Sequence, residues 1–360
     1  MLRESMGDQS ADLDAVEATE RLLGRPLELR RRDVTRESGV SLMSAQKFWR
    51  ALGFPVVYTD DELFTTADVE ALRRVAQLVR DEGVDVDETL ALAMTRAVAR
   101  STDRLAVWQA QLVAEAVENE ISALAASHHD VARDAETRQV PSFETATETA
   151  RRMAELADQF EPLLVYAWRR HLSAAISRML ADADPESYGL VKMRSVGFAD
   201  LVNFTSLVRK MSERDLARLV HRFERLSADV ITAHGGRLIK TVGDEVLFTA
   251  VQAAPAAAIA LDLIQTITDD EVLPDVRCGM ARGPIVSSLG DVFGTTVNRA
   301  SRLTAVAQAG SVLVDATMAR ELATLSGFEL TGQRRRILRG VGPVSPSLLR
   351  RARAEGRRPT

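Results

Sequence analysis

The chain has 360 residues, 46% of them hydrophobic and 27% charged, with a formal net charge of −5. This length allows two ordinary domains, the acidic balance argues against wholesale nucleic-acid binding, and no apolar run approaches the roughly eighteen residues of a membrane span. A single cysteine, Cys278, excludes an intrachain disulfide and fits a reducing cytoplasm; in the strand-like "DVRCGMARGPIV" it reads as a small buried filler.

Residues 1–183 read almost entirely as helix. The acidic start, "MLRESMGDQSADLDAVEATE", lacks the apolar core of a signal peptide. "RDVTRESGVSLMSAQKFWRALGFP" reads as a short helix, a turn at Gly39 and a second helix, and with the following "FTTADVEALRRVAQLV" it resembles MerR-type regulators. DNA binding would need a basic recognition helix and wing; Lys47 and Arg50 supply some charge, but "YTDDELF" at the wing position would repel phosphate, so a helix-packing scaffold is the preferred reading. The next helix carries apolar residues at three- and four-residue spacing, with Thr66 as its N-cap and Gly83 as its stop. Long amphipathic runs follow to "ASHHD", then "SFETATETARRMAELADQF" after Pro141, and Pro162 opens a further helix, where proline is tolerated at the first position. His128, His129 and His171 are the side chains of this half able to switch near neutral pH; the competing reading is of exposed polar residues on solvated helices.

After a linker at 184–189 the pattern changes. A strand ("LVKMRSVGFADL"), a helix ended by two glycines ("SERDLARLVHRFERLSADVITAHGG"), a hairpin, a small-residue helix ("APAAAIALDLIQTI") and a strand ("DVRCGMARGPIVSSL") give the order β-α-β-β-α-β. That is the ferredoxin-like split arrangement, an antiparallel sheet with helices on one face. Short α and β pieces complete this domain at 190–352, and 353–360 form a basic tail. The fold class expected is therefore α+β: a ferredoxin-like βαββαβ domain preceded by an all-α domain.

Two aspartates stand at strand ends. Asp200 follows "VGFA", and Asp244 occupies a Gly-Asp turn between "GRLIKTV" and "VLFTAV", where turn former and ligand are both open readings. If the hairpin strands flank the first strand, the two carboxylates meet at one sheet edge. Paired hard-oxygen donors suit Mg²⁺ held against a triphosphate, and the lack of a His/Cys cluster argues against zinc. In "GDVFGTTVNRASRL", Asp291 ends a loop loosened by Gly290 and Gly294, while Asn298 and Arg302, four apart, share one helical face as a sugar and phosphate clamp would.

"FADLVNFT", "GGRLIKTVGDEVLF" and "GDVFGTTVNRASRL", in this order, resemble the class III nucleotidyl cyclase catalytic domain over roughly residues 188–350. The helical half resembles the regulatory domain of soluble actinobacterial adenylyl cyclases, some of which respond to pH. The resemblance implies an adenylate cyclase that converts ATP to cyclic AMP and pyrophosphate with two Mg²⁺ or Mn²⁺ ions per site. It assigns Asp200, Asp244 and the adjoining Leu201 to the metals. Lys240 and Asp291 match the adenine-selecting pair, the lysine donating to N1 and the aspartate accepting from the N6 amino group; guanine presents the opposite pattern. Asn298 matches the ribose-orienting residue and Arg302 the residue that stabilises the transition state. The backbone amides of Leu201 to Thr205, with Phe204 as the usual aromatic, match the turn that holds phosphates. Arg339, in "ILRGVG", stands where a lysine often contacts the triphosphate.

The resemblance further implies a homodimer with shared sites, and an N-terminal half that inhibits the catalytic one with pH as the favoured stimulus. Three positions depart from the family pattern: Asn203 where glycine is common, Arg339 for lysine, and Arg299 where the helix usually carries an apolar residue. The rival reading is an inactive nucleotide-binding sensor coupled to the helix-turn-helix-like segment. The intact metal, adenine, ribose and arginine positions favour the enzyme.

Overall fold

The computed structural model describes residues 16–54, 61–80, 87–127, 142–182, 193–288 and 290–352. Gly83, His128, His129, the linker 184–189, the tail 353–360 and the first part of the wing segment lie outside the described residues. The chain divides into two compact units, Met1–Ser177 and Arg178–Thr360. Among the described residues no helix is long and apolar enough to cross a membrane.

In the first unit, helix α1 (Arg31–Ser38) ends at Gly39, whose φ of 69° lies in the left-handed region, and Ser41 caps α2 (Leu42–Leu52) by accepting from the Ser44 amide. These two helices and α3 (Thr66–Arg80) enclose Val34, Ala45, Phe48, Val69 and Leu72. Lys47, one of the cations of the helix-turn-helix-like segment, is taken up by Glu88 at 3.0 Å. The cap of α3 is Thr65, not Thr66. Its hydroxyl accepts from the Ala67 amide, and Asp68 in turn accepts from the Thr65 amide at 2.7 Å, the reciprocal pattern of a capping box.

Helices α4 (Glu88–Ser127) and α5 (Phe143–Asp182) each run 40 residues. Pro162 does not open a helix; it sits inside α5. Proline there removes one hydrogen bond, to the carbonyl of Asp158, but that stretch is exposed and water can satisfy the oxygen. From Phe160 onward α5 presents an exposed apolar ridge at four-residue spacing: Phe160, Leu164, Trp168, Leu172, Ile176 and Leu180.

The second unit is built on β1 (Met193–Leu201), the hairpin of β2 (Arg237–Val242) and β3 (Glu245–Ala250), and β4 (Val276–Pro284), with helices α6 (Phe204–Val208) and α7 (Glu213–Ala233) after β1 and α8 (Ala253–Thr268) before β4. Their sheet order, β2-β3-β1-β4 with every pairing antiparallel, is the ferredoxin-like one. β1 thus lies between β3 and β4, not between the two hairpin strands. Beyond β4 the sheet continues through β7 (Val312–Val314), β11 (Ser347–Arg351) and β8 (Phe328–Gly332). The β4–β7 pairing is parallel, so the seven-stranded sheet is mixed rather than antiparallel. "DVRCGMARGPIVSSL" is two strands, β4 and β5 (Val286–Ser288), and β5 pairs with β6 (Asp291–Phe293).

Helices occupy both faces of the sheet. α7 and α8 bury Leu219, Phe223, Ile231, Ile259 and Leu263 against one face, where Cys278 is also fully buried as expected. Helix α9 (Thr295–Val306) covers the other face, with Ala300 packed among Val196, Phe198, Leu247 and Ala281. β4 offers α9 a shallow trough of small residues, Gly279, Ala281 and Gly283, and α9 answers with Thr296, Ala300 and Thr304, buried at four-residue spacing. The approach is close: a Cβ on Gly279 would lie 2.1 Å from the Thr304 amide nitrogen. Thr296 donates to the Pro284 carbonyl at 2.7 Å, whereas the single proton of the Thr304 hydroxyl is divided between the Ala300 carbonyl of α9 itself at 3.0 Å and the Phe198 carbonyl at 3.4 Å.

Candidate active site

The hairpin turn sets the first carboxylate. Val242 pairs with Glu245, leaving a two-residue turn in which Gly243 has a φ of 61° and Asp244 follows. The Leu201 amide donates to the Asp244 carbonyl at 3.0 Å, and Asp200 pairs with Glu245 across β1 and β3. The turn is thereby welded to the end of β1, and Asp200, Asp244 and Glu245 crowd one corner of the sheet. Burial, opposed by a backbone hydrogen bond and reinforced by the charge of Asp200, raises the Asp244 carboxyl above its ordinary range. Burial and the charges of Asp200 and Asp244 push Glu245 up to about 7.

Arg277 stands directly against these carboxylates, and the charge of Lys240 also acts on Glu245. Arg277, opposite Asp200 in the β1–β4 register, donates through Nε and Nη2 to Asp200 Oδ2 at 2.8 and 2.5 Å, and through Nη1 to the Ala305 carbonyl at 3.3 Å. The sequence reading missed Arg277. Its signal was a charged residue alternating with the apolar Val276 and Cys278 in a strand otherwise reading as buried. Three carboxyl groups to one guanidinium leave this corner acidic, as a divalent cation requires. Among the described residues no three His, Cys, Asp or Glu side chains converge as a metal cage. A hard cation here would rest on two carboxylates with the nucleotide's own oxygens, the habit of Mg²⁺. Leu201 is 2% exposed with its side chain in the core, so only its backbone carbonyl could contribute.

Lys240 and Asp291 come together. Lys240 Nζ lies 2.5 Å from Asp291 Oδ2, and that hydrogen bond holds the Asp291 carboxyl below the usual carboxylate range despite some burial. Asp291 stands where the loop ends at Gly290 and β6 begins. Lys240 pairs with Leu247 across β2 and β3, so it stands on the sheet face that α9 covers, the face Asp200 shares with Val196 and Phe198.

The phosphate turn is partly committed to the fold. The Leu201 and Val202 amides bond to the carbonyls of Asp244 and Asp275, leaving the amides of Asn203, Phe204 and Thr205 without a backbone acceptor among the described residues. Asn203 has a φ of 61° and is the one non-glycine residue in the left-handed region among those described, which accounts for asparagine where glycine is common. Phe204 packs on the core and anchors the turn.

Asn298 and Arg302 are on the exposed side of α9, opposite its buried threonine–alanine stripe, and neither side chain has a partner among the described residues. Arg339 is exposed at the turn between β9 (Arg336–Leu338) and β10 (Gly342–Val344), a two-stranded sheet of its own. Among the described residues no hydrogen bond or ion pair ties it to the carboxylate corner. Arg299, unexplained by the sequence, donates to Asp315 Oδ2 at 2.8 Å.

A concavity of about 610 Å³ beside Gln252, Arg282 and Arg320 lies toward the other end of β1, where Arg282 pairs with Ser195, and is no part of this arrangement.

Residues 187–349 match the family described as the adenylate and guanylate cyclase catalytic domain. The chain is 40% identical to an adenylate cyclase of Glutamicibacter nicotianae over 356 residues, 95% of this chain and 82% of the relative. It is 43% identical to an adenylate cyclase of Streptomyces coelicolor over 80% of this chain and 70% of the relative. A Mycobacterium tuberculosis protein named as a pH-sensitive adenylate cyclase is 39% identical over 41% of this chain and 38% of its own length. The carboxylate corner, the lysine–aspartate pair and the outward Asn–Arg helix all lie within the matched segment, and similarity to the first relative extends over most of the helical half. The chain belongs to the class III adenylate cyclase family and is an adenylate cyclase.

Proposed function

We propose that this adenylate cyclase acts on ATP with two divalent cations, Mg²⁺ or Mn²⁺, at sites shared between the two chains of a homodimer. The observation that carries this reading is the outward face of α9, where Asn298 and Arg302 point away from their own sheet with no partner among the described residues. One chain supplies Asp200, Asp244 and the Leu201 carbonyl; the other supplies Lys240, Asp291, Asn298 and Arg302. Bound cations would lower the pKa of the ribose 3′-hydroxyl and offset charge on the leaving pyrophosphate.

The 3′-oxygen forms a bond to the α-phosphorus, the bond to the bridging oxygen breaks, pyrophosphate departs and the hydroxyl proton passes to solvent. Lys240 donates to adenine N1 and Asp291 accepts from the N6 amino group; their existing ion pair holds the two groups side by side for these adjacent positions. Asn298 orients the ribose. Arg302 meets charge that develops only in the transition state, the kind of contact that accelerates chemistry. The free amides of Asn203, Phe204 and Thr205 receive phosphate oxygens, and Arg277, already at the corner, is placed to turn from Asp200 to the triphosphate. Arg339, exposed on its hairpin, is assigned to the triphosphate by its place in the sequence pattern.

The helical half, residues 1–183, is read as an inhibitory regulatory domain, with pH as its stimulus and the cytoplasm as its place of action. The exposed apolar ridge of α5 is suited to pairing of chains, and the name of the pH-sensitive relative, similar over 41% of this chain, suggests the stimulus only. The test of the shared site is complementation. Asp200→Ala and Arg302→Ala are each inactive alone, and co-expressed they recover roughly a quarter of wild-type activity, because half the dimers are mixed and each mixed dimer has one intact site. No recovery in confirmed mixed dimers refutes the shared site.

A further inference from the structure

The family pattern has no use for a charge at Arg299, yet the arginine is engaged in a specific clamp. Asp315 is 1% exposed, at the end of β7 where α10 (Ala316–Leu322) begins. Its Oδ1 accepts from the Met318 amide at 2.9 Å and the Arg282 amide at 3.3 Å, and its own amide donates to the Met280 carbonyl at 3.0 Å. Its Oδ2 accepts from Arg299 Nη1 at 2.8 Å. Asp315 therefore caps α10 and reaches α9 once through its carboxylate, and touches β4 twice, once through the carboxylate and once through its backbone amide. Among the described residues Arg299 is the one cationic side chain bonded to it; the Arg282 guanidinium is spent on Ser195, Val251 and Glu321.

Such a clamp has a geometric consequence for the helix. α9 rests on the small residues Gly279, Ala281 and Gly283 and is held there by the packed Leu303 and Val297, by Thr296 on the Pro284 carbonyl and by Arg277 on the Ala305 carbonyl; the Arg299 pair adds the contact that lies nearest in sequence to Asn298. Arg299 acts from the flank of the helix, one residue after Asn298 and three before Arg302. If α9 turned or slid, the Arg299 contact would break and the buried Asp315 charge would lose its counter-ion, a costly state. The position that satisfies Asp315 is thus the position in which Asn298 and Arg302 are presented.

We infer that the Arg299–Asp315 pair is a positioning device for the reaction, setting the rotation of α9 and so the placement of Asn298 and Arg302; this rests on the reading that those two residues serve the chemistry. The test uses the full chain, measuring cyclic AMP formation against ATP concentration and the thermal unfolding midpoint of each variant. Arg299→Met lowers kcat roughly 10- to 100-fold, the cost of about an ångström of misplacement, while KM for ATP stays within about twofold. Arg299→Lys recovers much of the loss. Because Arg299→Met strands a buried charge and can unfold the unit, the deciding variant is Arg299→Met combined with Asp315→Asn, which keeps the cap of α10 and removes that charge. It regains the wild-type midpoint but not kcat. If its kcat returns with its stability, Arg299 is only a counter-ion and the inference is overturned. Arg302→Ala separates the two failures: activity retained there sinks the reading of α9 itself, whereas loss there with wild-type kcat in the double variant sinks only the positioning role.

Discussion

Replacing Gly279 with alanine would drive a methyl group into the backbone of α9. The new Cβ would stand 2.1 Å from the Thr304 nitrogen, 2.5 Å from its Oγ1 and 2.6 Å from the Leu303 carbonyl carbon. Ordinary contact between such atoms is about 3.5 Å, so the helix must retreat by roughly 1 Å or more, since no side-chain rotation relieves a clash with a main chain. Overpacking of this kind costs about 3 kcal/mol, which lowers the melting temperature of a unit this size by roughly 6–12 °C. The same retreat carries Asn298 and Arg302 with it and should cost about 100-fold in kcat.

Gly283 supplies the control: there the nearest atom is the Thr296 Oγ1 at 2.5 Å and the next is 3.5 Å away, both in a side chain. Gly283→Ala should be milder and should be relieved by Thr296→Ala, whereas Thr304→Ala should not relieve Gly279→Ala. The assay is cyclic AMP formation at saturating ATP and Mn²⁺, with a thermal melt of each variant. A Gly279→Ala enzyme within about threefold of wild-type kcat and about 2 °C of its melting temperature would refute the close seating of α9 and its catalytic consequence.

Asp200→Ala and Asp244→Ala should each leave the chain folded and reduce cyclic AMP formation at least ~100-fold at saturating Mn²⁺, the scale of one lost electrostatic element; near wild-type rates for either remove it from the metal site. ATP should be preferred to GTP by well over tenfold, because guanine leaves both Lys240 and Asp291 mismatched; equal turnover of the two counts against the pair as the base reader. Residues 185–360 alone should outpace the full chain, with the difference varying between about pH 5.5 and 8.5, the range in which histidines titrate. Identical rates across that range would show that the helical half does not inhibit.

Local chemistry was enough to read the β-α-β-β-α-β order and the helical first half, because hydrophobic period, glycine turns and capping residues act within a few positions of one another. The candidate site residues stood out as three short motifs for the same reason: Asp200, Lys240 with Asp244, and Asp291 with Asn298 and Arg302 each sit at a strand end, a turn or a helix face marked by its neighbours. What lay beyond reach was the choice of partners. An amphipathic stripe states that α9 buries Thr296, Ala300 and Thr304, but not which face of the sheet receives them; the trough of Gly279, Ala281 and Gly283 on the far face from α7 and α8 decides that. Arg277 and Asp200 are 77 positions apart, and only the β1–β4 register sets them opposite. Arg299 read as an anomaly until the turn into α10 brought a buried carboxylate against it. Pro162 failed in the other direction: the local rule for proline at a helix start was sound, but an exposed helix tolerates the lost bond because water reaches the freed carbonyl. Sequence spacing carries the propensities of each element, while the pairing of charges and faces across the fold is a property of the packed sheet.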